Sequence, residues 1–247
     1  MHSVIILAGG IGKRMVDAYP TTPKVCVPIK DKPMIVRVLQ SVLRTNPKNI
    51  YIVVGKYGNI INETINCYIT NENQQSIIKY IKQGIPLGTG HAIQSCVSEL
   101  YHIQEHNILI LCGDVPLTTT ETLNDILNRK YDVVVTTEKK DPFGMGRIIN
   151  KGENVIKIIE EKDCSEEQKA IKKVNCGIYK IMGRLLFSYI YKLENNNAAK
   201  EYYLTDIIEI LHNNQHDIYE HNIPSNKIQE VLGVNTIEQL CELESYI

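Results

Sequence analysis

The chain has 247 residues, 27 Lys and Arg against 28 Asp and Glu, a net charge of −1 and a pI near 6.7, so it carries no general cationic field. Nucleic acid or an anionic membrane surface is therefore excluded as the main partner, and any positive potential must be local. The length suits one large α/β domain or a main domain with a smaller lobe. Seven cysteines without a CxxC pair argue for reduced thiols rather than a disulfide frame or a zinc site.

Residues 3–8, SVIILA, are a continuous β-branched and aliphatic run that predicts a strand buried on both faces. The run stops at Gly9. Glycines at 9, 10 and 12 let peptide N–H groups close around an anion, and Lys13, Arg14 and Lys24 add positive charge beside them, a combination that points to polyphosphate. A dinucleotide fingerprint would need glycine at Met15 and an acidic residue about 20 positions on, where residues 32–44 are basic and apolar. A Walker loop would need glycine at Leu7 and Ser or Thr at Arg14. Both fail on residue identity. A plain glycine-rich turn with solvated cations is the alternative, and Pro20 and Pro23 weigh against it by stiffening the loop's return and holding Lys24 where it can face Arg14.

Pro33 then opens a helix with Met34, Ile35, Val38, Leu39, Val42 and Leu43 on one face, ended by Asn46 and Pro47. A strand at 50–54, a short helix at 59–66 and a strand at 76–81 follow, and this alternation predicts a mostly parallel sheet with helices on both faces. In QGIPLGTGHA, residues 83–92, Gly84, Pro86 and Gly88 shape a turn, Thr89 is placed to cap, and 91–99 continue as a helix. Gln83 has an amide donor and acceptor that match a uracil edge, and Gly88 lets the backbone approach the same base. A simple N-cap is the competing reading.

A buried strand at 107–112 leads into GDVPL. Open α/β sheets collect ligands at strand carboxyl ends, so Asp114 reads either as a helix cap or, beside a polyphosphate loop, as a ligand of Mg²⁺. After a helix at 120–128 and a strand at 132–137 the alternation changes. Strands opening at 144–147 and spanning 155–160 and 173–180, with a charged helix at 165–171, predict an α+β extension whose loops lie over a second substrate. Gly146, Glu160 and Asn175 fall at strand starts, ends or turns, suited to reading sugar hydroxyls or to a solvated loop. Beyond a helix at 184–193, Tyr203 and Thr205 offer a sugar face and a hydroxyl partner, while Asp206 is expected to cap a helix at 207–213. Strands near Ile218 and Val231 precede Gly233-Val234-Asn235, and Thr236 with Gln239 forms a capping box for the last helix. Asn235 reads as a second oxygen on magnesium or as a loop residue before that cap. The N-terminal apolar run is too short for a signal peptide and no stretch is long enough to span a bilayer, so a cytoplasmic location without membrane contact is expected.

In order, the chain carries LAGGxGxRM, PK, LGTGHA, GDVPL, GxGR, NxGI, EYYxTDI and GVN. This series resembles the sugar nucleotidyltransferases, which join a nucleoside monophosphate to a sugar 1-phosphate. The form QxxxLGTGHA is similar to the uridylyltransferase domain of the bacterial bifunctional enzymes that make UDP-N-acetylglucosamine. The resemblance implies a Rossmann-like mixed, mostly parallel sheet flanked by helices, with a sugar-side α+β lobe. It implies one domain over 1–247, its nucleotide half before about residue 140 and its sugar half after it. Carried over residue by residue, it places Arg14 and Lys24 on the phosphates as catalytic groups and Leu7, Ala8, Gly9, Gly10, Gln83, Gly88 and Thr89 around the nucleotide. Asp114 and Asn235 would hold Mg²⁺, and Gly146, Glu160, Asn175, Tyr203 and Thr205 would hold the sugar. The implied substrates are UTP and N-acetylglucosamine 1-phosphate. Another hexose 1-phosphate such as glucose 1-phosphate, or a non-catalytic nucleotide-sugar-binding role, are the alternatives. Two departures stand out: Cys112 replaces a tyrosine common in the family, and no hexapeptide repeat follows Ile247, so acetylation and the trimer built by that domain are expected to be absent.

Overall fold

Uninterrupted aliphatic runs in this chain become strands covered on both faces. A computed structural model describes residues 1–247 apart from Ile11, Val16 and the side chain of Lys13. Its strands are β1 (His2–Leu7), β2 (Pro28–Ile29), β3 (Lys32–Pro33), β4 (Ile50–Val54), β5 (Ile78–Lys82), β6 (Asn107–Cys112), β7 (Val133–Glu138), β8 (Arg147–Lys151), β9 (Asn154–Ile159), β10 (Lys173–Met182) and β11 (Tyr219–Asn222). β2 and β3 pair with each other. Among the described residues the other nine form one sheet in the order β5-β4-β1-β6-β10-β7-β11-β9-β8. β5, β4, β1 and β6 are parallel neighbours, β10 runs antiparallel between β6 and β7, and β11 is parallel to β7. The β8–β9 hairpin closes the far edge and touches β10 again at Val174 and Arg147.

Strand periodicity divides the core into two layers. Val4, Ile6, Leu109 and Leu111 face the helix Met34–Leu43, whereas Ile5, Ile108 and Ile110 face Ile207, Ile208 and Leu211 of the helix Asp206–Asn213. Each such side chain, fully buried, contributes about 1.5–3 kcal/mol relative to exposure. A third cluster, with Val27, Ile29, Met34, Val234, Leu240 and Leu243, seals the last helix, Ile237–Glu244, against the first loops. No described helix is long and apolar enough to cross a membrane.

Several elements differ from the sequence expectation for local reasons. A short helix, Glu72–Ser76, precedes β5, because the Asn71 side chain accepts from the N–H groups of Asn73 and Gln74. The helix expected over 91–99 is broken into Thr89–Gln94 and Val97–Leu100. Ser95 Oγ and Cys96 Sγ donate to the carbonyls four residues back, at 2.8 and 3.1 Å, the kind of back-bonding that bends a helix. Val231 ends a 3₁₀ helix, Ser225–Val231, rather than lying in a strand. Its burial reflects core packing, and the carbonyl of its neighbour Glu230 is taken by the Thr118 hydroxyl at 2.7 Å. The helix expected over 184–193 is α-helical from Gly183 to Tyr189 and continues as a 3₁₀ turn, Ile190–Lys192.

Candidate active site

The parallel strands β1, β5 and β6 end at one edge of the sheet, which brings residues 8–10, 83–88 and 112–114 together. A cavity of about 300 Å³ opens there. All seven residues expected around a nucleotide, Leu7, Ala8, Gly9, Gly10, Gln83, Gly88 and Thr89, lie in its wall, as do Lys24 and Asp114. Gly88 has φ +114°, and a Cβ there would sit 2.5 Å from the Tyr202 carbonyl oxygen, so no other residue fits without displacing the backbone. That proximity ties a strap to the wall: Tyr202 N–H donates to the Leu87 carbonyl at 2.8 Å and Gly90 N–H to the Tyr202 carbonyl at 2.7 Å.

Two expectations are corrected here. Thr89 does not cap its own helix, whose N-cap position is Gly88; its hydroxyl oxygen accepts from Leu204 N–H at 3.0 Å and so anchors the strap. Gln83, only 5 % exposed, does not present both halves of its amide. Its nitrogen donates to the Gly88 carbonyl at 3.2 Å and meets His91 Nδ1 at 3.0 Å, while its oxygen faces Gly9, where a Cβ would lie 3.1 Å away.

On the same wall, Lys24 Nζ forms an ion pair with Asp114 and donates to the exposed Asn235 Oδ1 at 2.9 Å. Lys24 therefore faces these two oxygens. Arg14 is exposed on the turn Lys13–Met15 and is not among the described residues that line the cavity. Asn235 is held by its neighbours: Gln239 Oε1 accepts from Asn235 N–H at 2.7 Å, one residue earlier than a complete capping box with Thr236 requires. Val234 N–H donates to the Asp114 carbonyl at 2.9 Å, so the two oxygen-bearing loops are locked together. The hard oxygens of Asp114 and Asn235 converge on one cationic group, and such a donor set fits Mg²⁺, which takes one or two protein oxygens and completes its shell with phosphate and water.

The five residues expected at the sugar also meet. A Cβ on Gly146 would lie 3.6 Å from Asn175 Cβ and 3.7 Å from Glu160 Cδ, so the start of β8 sits directly against β10 and the end of β9. Thr205 Oγ1 donates to Glu160 Oε1 at 2.9 Å. This use of Thr205, at the N-cap position of its helix, leaves no side-chain cap, and Asp206 begins that helix instead of capping it. Asn175 is oriented by Tyr179 and by Gly177 N–H, at 2.8 and 3.0 Å. Tyr203 shares a second cavity, of about 530 Å³, with Glu160, Asp163 and Asp206. Burial raises the Glu160 carboxyl above the usual range, with Thr205 pulling the other way. Burial and then Glu160 push Asp206 up to about 6, and burial, Asp163 and Glu160 push the Tyr203 phenol to about 12.

The two groups of residues adjoin. Thr89 bonds Leu204, which lies between Tyr203 and Thr205, and Cys112 in the wall of the first cavity reaches Gly177, where a Cβ would be 4.0 Å from its sulfur. Burial and the Asp114 charge push the Cys112 thiol to about 12, which keeps it neutral. Sequence reading gave no site role to Glu201 and Pro86 in the wall, His91 behind it, or Asp163 and Asp206 in the second cavity. Glu201 carried a signal in EYYxTDI; Asp163 had none, since it sits in a charged helical stretch of ordinary spacing. The arginine of GxGR, Arg147, which the sequence gives no role of its own, is buried, pairs with Glu161 at 2.6 Å and bonds the Met145 carbonyl, steadying the turn that presents Gly146.

These features, a glycine-walled cavity at the carboxyl edge of a mixed sheet with Lys24 held by Asp114 and Asn235, lie in a chain that belongs to the nucleotidyl transferase family, whose pattern matches residues 3–226. A protein of Acanthamoeba polyphaga mimivirus described as a probable UDP-N-acetylglucosamine pyrophosphorylase is 39 % identical over 98 % of this chain and 94 % of its own length. The bifunctional protein GlmU of Dechloromonas aromatica is 38 % identical over 98 % of this chain and 51 % of its own, and that of Thermoanaerobacter pseudethanolicus 37 % over 97 % and 50 %. The chain thus spans about half the length of these bifunctional relatives. A structure of UDP-glucose pyrophosphorylase complexed with UDP-glucose aligns with TM-score 0.75 over 100 % of this chain and 98 % of that one at 16 % identity, which shows the shared mixed α/β nucleotide-diphospho-sugar transferase fold.

Proposed function

We propose that the chain transfers UMP from UTP to N-acetylglucosamine 1-phosphate, giving UDP-N-acetylglucosamine and pyrophosphate. The observation that carries this reading is the adjacency of a glycine-walled cavity holding Gln83, Lys24 and Asp114 to a carboxylate and hydroxyl cluster around Glu160 and Thr205. The mimivirus relative, nearly matched in length, carries a name that supports the same base and sugar. The nucleotide belongs to the half before about residue 140 and the sugar to the half after it, with Glu201 and Asn235 crossing to the nucleotide side.

The attacking oxygen of a sugar phosphate is already ionised near neutral pH, so no general base is required. The obstacle is the approach of two polyanions and the charge spread over phosphate oxygens during in-line displacement. Lys24 and the amides of the loop after β1 bind and orient those oxygens, and Arg14 adds charge from the loop's outer turn. Mg²⁺ held by Asp114 and Asn235 would neutralise phosphate charge and polarise the oxygens it binds. Glu160, Asn175, Thr205 and the backbone at Gly146 position the sugar, and Tyr203 offers it a ring face. All seven cysteines are free, and residence in a reducing compartment such as the cytoplasm is part of the same proposal.

Pyrophosphate release tests this directly. With UTP, N-acetylglucosamine 1-phosphate should exceed glucose 1-phosphate by about tenfold or more in kcat/KM. Faster turnover of glucose 1-phosphate would change the sugar, and UTP binding without turnover of any sugar phosphate would remove the enzyme reading.

A further inference from the structure

We propose that His91 is a positioning residue for base selection: as the Nε2–H tautomer, together with the Gly88 carbonyl, it holds the Gln83 amide so that only a carbonyl oxygen faces the base, which admits an imide N–H and rejects cytosine. The inference rests on the uridylyltransferase reading above.

Gln83 follows β5 and is 5 % exposed, so the partners of its amide are fixed by protein and not by bulk water. Its nitrogen lies 3.2 Å from the Gly88 carbonyl oxygen and 3.0 Å from His91 Nδ1. A main-chain carbonyl only accepts, so the amide edge that faces Gly88 must be NH₂; the flipped amide would set two oxygens against each other. One of its two N–H groups goes to Gly88. The other points at His91 Nδ1, which must then offer its lone pair, placing the imidazole proton on Nε2.

Both donors are now spent inside the protein. What remains is Oε1, turned to Gly9 in the wall of the nucleotide cavity. N3 of uracil or thymine carries a hydrogen and satisfies that oxygen. N3 of cytosine carries a lone pair and leaves two acceptors facing each other, a mismatch that lowers kcat/KM by about 10- to 100-fold. His91 is not among the described residues lining the cavity. It works from behind, on the helix Thr89–Gln94, with its ring 6.3 Å from that of Tyr202.

The test compares UTP with CTP, each with N-acetylglucosamine 1-phosphate, in the wild-type chain, His91→Asn and His91→Ala. Asparagine can place its side-chain oxygen near the position of Nδ1, so His91→Asn should keep the wild-type UTP:CTP ratio. His91→Ala should lower that ratio at least about tenfold, through KM for UTP, with kcat for UTP changed less than about threefold. An unchanged ratio in His91→Ala, or equal loss in both variants, would overturn the assignment. A second readout needs no variant: long-range ¹H–¹⁵N NMR of the wild-type chain should show His91 as the Nε2–H tautomer, and an Nδ1–H tautomer contradicts the lock. Absence of any UTP turnover in the wild type would instead count against the uridylyltransferase reading itself.

Discussion

The proposed nucleotide side and the proposed sugar side of this site are built from different materials. The first is backbone and pre-paired charge: glycines at the ends of parallel strands, with Lys24 already bonded to Asp114 and Asn235. The second is side chains from the antiparallel half, where Glu160, Thr205 and Asp206 sit in surroundings that disfavour ionised carboxylates. The difference matches two tasks. A polyphosphate needs fixed positive potential and close approach, whereas a neutral sugar needs directional hydrogen bonds.

Substitutions can break that division one side at a time, and the largest effect belongs to the charged side. Lys24→Ala should cost roughly 3–4 kcal/mol of transition-state stabilisation, about two to three decades in kcat for pyrophosphate release. A loss below fivefold would remove Lys24 from the phosphate path. On the sugar side, Thr205→Val takes away the hydroxyl that donates to Glu160 Oε1. KM for the sugar phosphate should rise about tenfold with KM for UTP within about twofold; equal rises in both would mean that the compartments are not separable.

The smallest effect sharpens the contrast through pH. Burial holds Asp206 at about 6 against an ordinary 3.8, so between these values the native chain keeps a proton that the unfolded chain releases. Raising pH through 6 ionises a half-buried group and lowers stability. Asp206→Asn should therefore raise Tm by about 2–4 °C at pH 7.5, with the gain fading as pH falls from about 6 to 4. A gain that persists at pH 4 would place its origin outside this carboxyl.

The same difference decided what could be read from the chain. SVIILA, NILILC and the glycines after them are local signals, since period, β-branching and missing side chains sit within a few residues of one another. They located β1, β6 and the cavity wall. Partnerships over long separations were not legible: Lys24 meets Asn235 across 211 positions, and Thr89 bonds Leu204 across 115. The GVN and EYYxTDI motifs supplied those residues by resemblance, not their geometry. Local reading also overreached where one side chain had two possible partners. Thr89 and Asp206 both looked like helix caps, yet Thr89 anchors a strap and Asp206 opens its helix beside Glu160.

In the proposed reading, one continuous site holds uridine over Gly9 and Gln83, the diphosphate beside Lys24, and the sugar among Gly146, Glu160 and Asn175. A crystal structure with UDP-N-acetylglucosamine decides it. Gln83 Oε1 should lie within hydrogen-bond distance of uracil N3, the diphosphate against residues 8–24, and the sugar beside Glu160. A diphosphate bound away from residues 8–24 would contradict it.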